Sequence, residues 1–214
     1  MTDTTNASRT MLMDLSNRTW SPEMIELVTG REDFPLSALP KILPSAAKYG
    51  IIGHGPAKGV PIMSCLGDQH AALLGHGCTE LGQAKVTYGT GCFLLCVRDM
   101  SQLAAPGLVS TVGFDLGSSK YTAALEAPLS IGGNTLGWLR NIGILSDDGI
   151  DTLFSSENEL LTRIRSSSVL MIPGLAGTLT PSWNPDSTGA LEGLTLHTDR
   201  KDIILAVLEA IAFS

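Results

Sequence analysis

The spacing of hydrophobic and polar positions changes repeatedly along this chain and divides it into short elements. Met24, Ile25 and Val28 recur at helical spacing behind Ser21-Pro22-Glu23, a serine cap, a proline at the first helical position and an acid at the positive end of the dipole. Gly30 ends that helix. Residues 31–59 are rich in proline and glycine and predict loops with little regular structure. The apolar run from Val60 to Leu66 predicts a strand, and residues 69–76 a helix. Short strands are expected at 84–88, 92–97, 109–114 and 120–125, with Gly117-Ser118-Ser119 as a hairpin turn. Ser130 to Asn141 reads as a helix carrying Ile131, Trp138, Leu139 and Ile142 on one side, and 148–165 as a further helical stretch. Val169 to Ile172 is a buried-strand candidate that runs into a Gly/Pro-rich loop ending near Gly193. From Asp199 onward Ile203, Ile204, Val207, Leu208 and Ile211 mark a last helix. No internal repeat stands out. The mixture is α/β or α+β, with a domain junction expected just after the helix at 69–76.

Composition adds a surplus of apolar surface. Hydrophobic residues make up 43% of the 214 residues and charged ones 16%, against about 25% charged in an ordinary soluble domain. Mean hydropathy is +0.21. No apolar run approaches the roughly 18 residues that a membrane span needs, so a bilayer does not account for the surplus. A chain cut from a larger protein does, because absent parts would cover the apolar faces. The last helix fits this expectation, since it stops without Gly, Asn or a basic last turn and would leave its apolar face exposed. Net charge is −7 and no basic cluster is present, which excludes nucleic acid as an expected partner. Cys65, Cys78, Cys92 and Cys96 show no paired metal spacing and read as buried free thiols of a reducing compartment. His54, His70, His76 and His197 have no metal-ligand partners in the sequence and read as solvated or locally bonded. The N-terminus carries no apolar segment of the signal-peptide kind.

Candidate chemistry concentrates in two neighbouring stretches. Gly67-Asp68-Gln69-His70-Ala71-Ala72-Leu73 sets a carboxylate and a carboxamide side by side at a strand end and helix start. Lys85-Val86-Thr87-Tyr88-Gly89-Thr90-Gly91-Cys92-Phe93 is a strand opening into a Gly-Thr-Gly turn, where backbone N–H groups can converge on a phosphate. A proton acceptor and a phosphoryl-holding loop are the minimal equipment for phosphoryl transfer to an alcohol. Read alone, Asp68 would be a helix N-cap, Gln69 an exposed first-turn residue and Phe93 a strand core residue.

The motifs Gly67-Asp68-Gln69-x-Ala71-Ala72-Leu73-x-Gly75 and Thr87-Tyr88-Gly89-Thr90-Gly91-Cys92-Phe93 resemble the FGGY carbohydrate-kinase family, in its glycerol branch. Thr2-Asp3-x-Thr5-Asn6-Ala7-Ser8-Arg9-Thr10-Met11-Leu12 resembles a strand-to-helix segment of that family, and Glu126 with Gly133 and Trp138-Leu139-Arg140 its nucleotide-side helix. Gly189-Ala190-Leu191-Glu192-Gly193-Leu194, followed by Asp202-Ile203 and Ala206-Val207-Leu208-Glu209, is similar to its second signature.

The resemblance implies an α/β, actin/hexokinase-like (ribonuclease H-like) two-domain kinase fold, incomplete in this chain. Residues 1–76 would end the N-terminal domain and 77–214 begin the C-terminal one. It implies ATP-dependent phosphorylation of glycerol to sn-glycerol 3-phosphate in a cytoplasmic parent protein, with Mg²⁺ bridging the phosphates. Asp68 would be the general base, and Gln69 and Phe93 would contact glycerol. Thr90, Gly91 and Gly133 would serve the nucleotide. The N-terminal phosphate loop, the Arg-Glu clamp on glycerol and a later Gly-Gly-x-x-Asn segment would lie outside these residues, and the fragment alone would be inactive. Another sugar or polyol kinase of the family, or a non-catalytic relative, is the alternative, and a homo-oligomeric parent is left open. Two departures from the family pattern are Gly137, where a glutamine is usual, and Asn184, which replaces an acid.

Overall fold

The computed structural model of the chain describes residues 1–103, 105–117, 121–150 and 153–213. Two compact units result, Met1–Lys85 with Leu94–Glu126, and Val86–Phe93 with Ala127–Ser214.

The first unit begins with Thr2–Asp3 (β1), which feeds directly into the short helix Thr4–Ser8 (α1), followed by the ribbon Met13–Asp14 (β2) and Thr19–Trp20 (β3). Asp3 makes the transition possible by capping α1 with both carboxylate oxygens, one to the Thr5 amide and one to that of Asn6. Pro22–Thr29 (α2) is capped as expected, with Ser21 Oγ accepting from the Met24 amide at 3.3 Å and Gly30 turning left-handed at φ 68°. Its apolar face is another matter. Ile25 is buried, whereas Leu27 and Val28 are 75% and 64% exposed.

The segment expected to be loop contains strands. Ile42–Leu43 (β4) pairs in parallel with β1, and Ala46–Ile51 (β5) pairs antiparallel with Pro61–Ser64 (β6). The Gly/Pro signal that predicted loop belongs to the connection at 53–60, whereas Ala46–Ile51 itself is an ordinary extended stretch with a register shift between Ala46 and Gly50. β6 is exposed along its whole length, so the apolar run at 60–66 is a shorter strand than expected and not a core one.

Asp68–Gly75 (α3) follows. Its Leu73 packs with Cys78, Leu95, Val97 and Phe114 in a core where every side chain is at most 7% exposed. Leu95 and Val97 come from Cys92–Arg98 (β8), Phe114 from Val109–Asp115 (β9). With Ala84–Tyr88 (β7) and Tyr121–Leu129 (β10) these form a four-stranded sheet in the order β7-β8-β10-β9, in which β10 and β9 are antiparallel. Both α1 and α3 pack on β9. Of the expected hairpin turn, Ser118 and Ser119 lie outside the described residues, as does Lys120 of the strand expected at 120–125.

The second unit adds Gly133–Asn141 (α4), Glu157–Ser166 (α5), the antiparallel pair Leu170–Ile172 (β11) and Ala190–Glu192 (β12), and Arg200–Ala212 (α6). α5 is shorter than the helical stretch expected at 148–165, of which 151 and 152 lie outside the described residues. It starts at Ser156, whose hydroxyl caps the Glu159 amide at 3.2 Å. Around α6 the expectation of an uncovered apolar face is corrected. Ile204 and Val207 are fully buried against Leu139, Leu145, Val169 and Met171. β11 is buried on one side alone, since Leu170 and Ile172 are exposed. The start of α6 is fixed by a capping box between Asp199 and Asp202, and Arg163 of α5 clamps both carboxylates at 2.8–3.0 Å.

Candidate active site

In the first unit the candidate residues meet at the N-terminus of α3. The helix is capped by Gly67, which offers no side chain, so Asp68 is the first helical residue and not the cap. Its carboxylate is exposed, with Oδ1 accepting from the Gln69 amide at 2.8 Å. An acid at this position also lies where the helix dipole favours negative charge.

The helix start is held from behind. The Gly67 N–H donates to Thr5 Oγ1 at 2.9 Å, and the Thr5 hydroxyl donates to Asp3 Oδ2 at 2.6 Å. Asp3 also accepts from Ser45 Oγ at 3.0 Å and from Asn6 Nδ2 at 2.6 Å. Burial alone would raise the Asp3 pKa, but the donors from Thr5 and Asn6 outweigh it and leave the carboxyl below its ordinary range. Asp3, Thr5 and Ser45 are each fully buried. A Cβ on Gly67 would fall 2.9 Å from His70 Nδ1, so glycine is required by close approach at this corner.

Gln69 is half-buried, and its Oε1 accepts from Lys85 Nζ. Lys85 is 5% exposed; burial holds its pKa below the ordinary range, opposed by the carboxylates of Glu126 and Asp68. Glu126, expected to accompany the nucleotide-side helix, instead stands on β10 in the first unit. There Arg9 grips both its oxygens, at 2.7 Å and 3.1 Å. His70 departs from the expected solvated or locally bonded histidine. It is 2% exposed, and its Nε2 lies 3.4 Å from Thr111 Oγ1, distant in sequence. Among the described residues its Nδ1 has no hydrogen-bond partner.

The second unit holds Thr90, Gly91, Phe93 and Gly133. Gly89-Thr90-Gly91 forms the tight turn between β7 and β8, closed by the Gly89 amide on the Gly91 carbonyl at 3.0 Å. The N-terminus of α4 docks on this turn. The Gly133 amide donates to Gly89 O at 2.7 Å and the Asn134 amide to Thr90 O at 3.1 Å. A Cβ on Gly132 would lie 2.8 Å from Thr90 O, and one on Gly91 2.9 Å from Leu129 O. The glycines therefore let turn and helix meet backbone to backbone. The Gly133 and Asn134 amides are used in that union, which leaves the helix dipole and the exposed Thr90 hydroxyl as the features a phosphate would meet. Phe93 is half-buried on β8. Gly137 faces open space, and Asn184 is a loop residue whose Oδ1 accepts from the Asp186 amide at 3.0 Å, a role an acid could also fill.

Sequence reading missed Lys85 and the Asp3–Thr5–Gly67 chain. A charged residue inside a strand pattern, and Asp3 two residues before Thr5 at a strand-to-helix step, were the available signals. Among the described residues no group of three or more His, Cys, Asp or Glu side chains could hold a metal ion. No described helix is long and apolar enough to cross a membrane.

The model for the N-terminal domain of the FGGY family of carbohydrate kinases matches residues 1–75, and that for the C-terminal domain matches 84–214. The chain is 43% identical over 218 residues to a probable glycerol kinase of Caenorhabditis elegans. It is 41% identical over 217 residues to the glycerol kinase of Corynebacterium glutamicum (strain R). All of this chain but 41% of either relative is covered, so the chain spans about two fifths of their length. The crystal structure of Plasmodium falciparum glycerol kinase with ADP superimposes with a TM-score of 0.79 at 30% identity, over 99% of this chain and 41% of that one. A gluconate kinase from Lactobacillus acidophilus, at 20% identity and a TM-score of 0.74 over 99% of this chain and 42% of that one, shares the fold.

Proposed function

Because the chain belongs to the FGGY family of carbohydrate kinases, whose α/β actin-like fold it carries in part, we propose that it serves an ATP-dependent kinase converting glycerol to sn-glycerol 3-phosphate. In that kinase residues 1–76 would end the N-terminal domain and 77–214 begin the C-terminal one. The observation that carries this reading is Asp68, an exposed carboxylate on the first turn of α3, beside Gln69 and anchored from behind through Gly67 and Thr5.

Phosphoryl transfer asks the protein mainly for positioning and a proton acceptor. Asp68 accepts the proton of the attacking glycerol hydroxyl as its oxygen bonds to the γ-phosphorus and the bond to ADP breaks. A carboxylate with an open side is suited to that step, and the buried chain behind it limits how far the helix start can drift. Gln69 hydrogen-bonds a glycerol hydroxyl, and Phe93 packs against its carbon backbone. Thr90 hydrogen-bonds the nucleotide phosphates, while Gly91 and Gly133 keep turn and helix close enough for the dipole to act there. Magnesium is assigned only as the counter-ion that accompanies the nucleotide, given the lack of a cluster to hold it among the described residues. Four free cysteines suit a cytoplasmic setting.

The test is to supply the whole protein carrying these residues with ATP and a panel of polyols, ketoses and gluconate, and to resolve the products chromatographically. Glycerol should dominate, with glycerol 3-phosphate and ADP in equal amounts. Preferred turnover of a ketose or of gluconate would overturn the glycerol assignment.

A further inference from the structure

Packing alone does not explain a histidine at position 70. The imidazole is 2% exposed on α3, two residues after Asp68, and its Nδ1 has no hydrogen-bond partner among the described residues. An uncompensated buried acceptor is costly. Burial, with the charges of Arg9 and Lys85, outweighs the opposing carboxylates of Asp3 and Asp68 and brings the pKa down to about 4, so the ring is neutral near pH 7. A neutral imidazole carries a single N–H, and counting hydrogens along the neighbouring hydroxyls decides which nitrogen holds it. Ser8 Oγ donates its only hydrogen to Thr5 O at 2.7 Å, since a carbonyl can only accept. The 2.9 Å contact between Ser8 and Thr111 is therefore donated by Thr111. With that hydrogen spent, Thr111 Oγ1 meets His70 Nε2 at 3.4 Å as an acceptor. The proton sits on Nε2, and Nδ1 is bare. Nδ1 lies 2.9 Å from where a Cβ on Gly67 would stand, so the bare edge rests on the residue that caps α3 and precedes Asp68. Gly67 in turn donates to Thr5 Oγ1 at 2.9 Å. His70, Thr111, Ser8, Thr5 and Gly67 thus close a ring of contacts around the helix start.

We propose that His70 is a positioning residue for the Asp68 carboxylate: as the Nε2–H tautomer it ties α3 to Thr111 and rests its bare Nδ1 edge on Gly67, so that the corner carrying Asp68 is held by His70 as well as through Thr5. The proposal rests on the reading of Asp68 as the proton acceptor. A proton on Nδ1 would be driven against Gly67, and an apolar side chain would leave Thr111 without its donor. Either change frees the first turn of α3 to shift. Because alcohol oxygen, phosphorus and base have to align, a small shift there costs rate more than binding.

The experiment measures kcat, KM for glycerol and KM for ATP in the whole enzyme. His70→Met removes the Nε2 donor and keeps an apolar filling of similar length. It should lower kcat about tenfold, with KM for ATP within about twofold of wild type. His70→Gln, whose amide can offer Thr111 the same donor, should recover kcat to within about threefold of wild type. Thr111→Val leaves His70 in place and guards against a His70 variant that fails to fold. It should lower kcat in the same direction, whereas Thr111→Ser should not. In an Asp68→Asn background His70→Met should add less than about twofold, because it acts through Asp68. A general loss of folded protein would lower both backgrounds alike. Nitrogen NMR of histidine-labelled protein near pH 7 should show Nε2 protonated and Nδ1 bare. A proton on Nδ1, wild-type kcat in His70→Met or in Thr111→Val, or no recovery in His70→Gln would overturn the proposal. If Asp68→Asn itself keeps a wild-type kcat, the reading of Asp68 fails, and the proposal with it. If Asp68→Asn costs turnover while His70→Met costs as much again in that background, the role of His70 alone is refuted.

Discussion

Acidification from pH 7 toward pH 4 should destabilise this protein through His70. The imidazole is 2% exposed on the inner face of α3, with Nδ1 unpartnered among the described residues and a long 3.4 Å contact from Nε2 to Thr111. Burial, with the positive charges of Arg9 and Lys85, pulls its pKa from the ordinary 6.5 down to about 4, against the opposing carboxylates of Asp3 and Asp68. Between those values the unfolded chain binds a proton that the native protein refuses. Stability therefore rises with pH across that window and falls on acidification. A shift of this size corresponds to about 3 kcal/mol, complete only below pH 4. Against a typical total of about 5–15 kcal/mol that is a large loss. Asp3 also has a lowered pKa, but its contribution is lost as pH falls below its ordinary 3.8, under the His70 window. The assay is urea denaturation followed by tryptophan fluorescence at half-unit steps from pH 7.5 to 4.0, for the wild type and for His70→Gln. The variant should start less stable at pH 7.5 and lose less on acidification. A flat wild-type profile between pH 6.5 and 4.5, or an equal slope in His70→Gln, would refute the reasoning.

Thr5→Val removes the hydroxyl that joins the Gly67 amide to Asp3, and should cost about 1–3 kcal/mol of stability by leaving buried polar groups unmatched. Thr5→Ser keeps the hydroxyl and should retain more stability and more kcat, as paired thermal melts and turnover assays would show. Gly132→Ala drives a Cβ to 2.8 Å from Thr90 O. That should push α4 off the Gly89–Gly91 turn, raising KM for ATP severalfold or more while KM for glycerol changes little. Unchanged nucleotide kinetics would remove this turn from the phosphate site.

Local signals served well where a single element decides the outcome. The cap at Ser21, the proline after it and Gly30 mark α2 without reference to anything distant, and the apolar period of α6 marks that helix. What each element packs against was not local. Ile204 and Val207 of α6 are covered by Leu139, Val169 and Met171, brought in from far earlier in the chain. Met24 and Val28 fit the helical period yet stay exposed. β5 escaped notice because its connection is dense in glycine and proline. The motif around Asp68 and Gln69 was legible because both functional groups are adjacent in sequence. Their supports were not, since Lys85 is 16 residues from Gln69 and Thr5 is 62 from Gly67. Gly133 was legible only as a nucleotide contact implied by the resemblance; that Gly132 and Gly133 are also the surface on which the Gly89–Gly91 turn docks depends on packing between elements far apart in sequence.

The central claim is that Asp68 removes the proton from the attacking hydroxyl, and Asp68→Asn in the whole protein tests it most directly. Asparagine keeps the size of the side chain and a carbonyl oxygen facing the Gln69 amide, but it cannot take up the proton. Steady-state glycerol-dependent ADP release should show kcat reduced by about 10²–10⁴, with KM for glycerol within a few-fold of wild type. A kcat close to wild type would contradict the account.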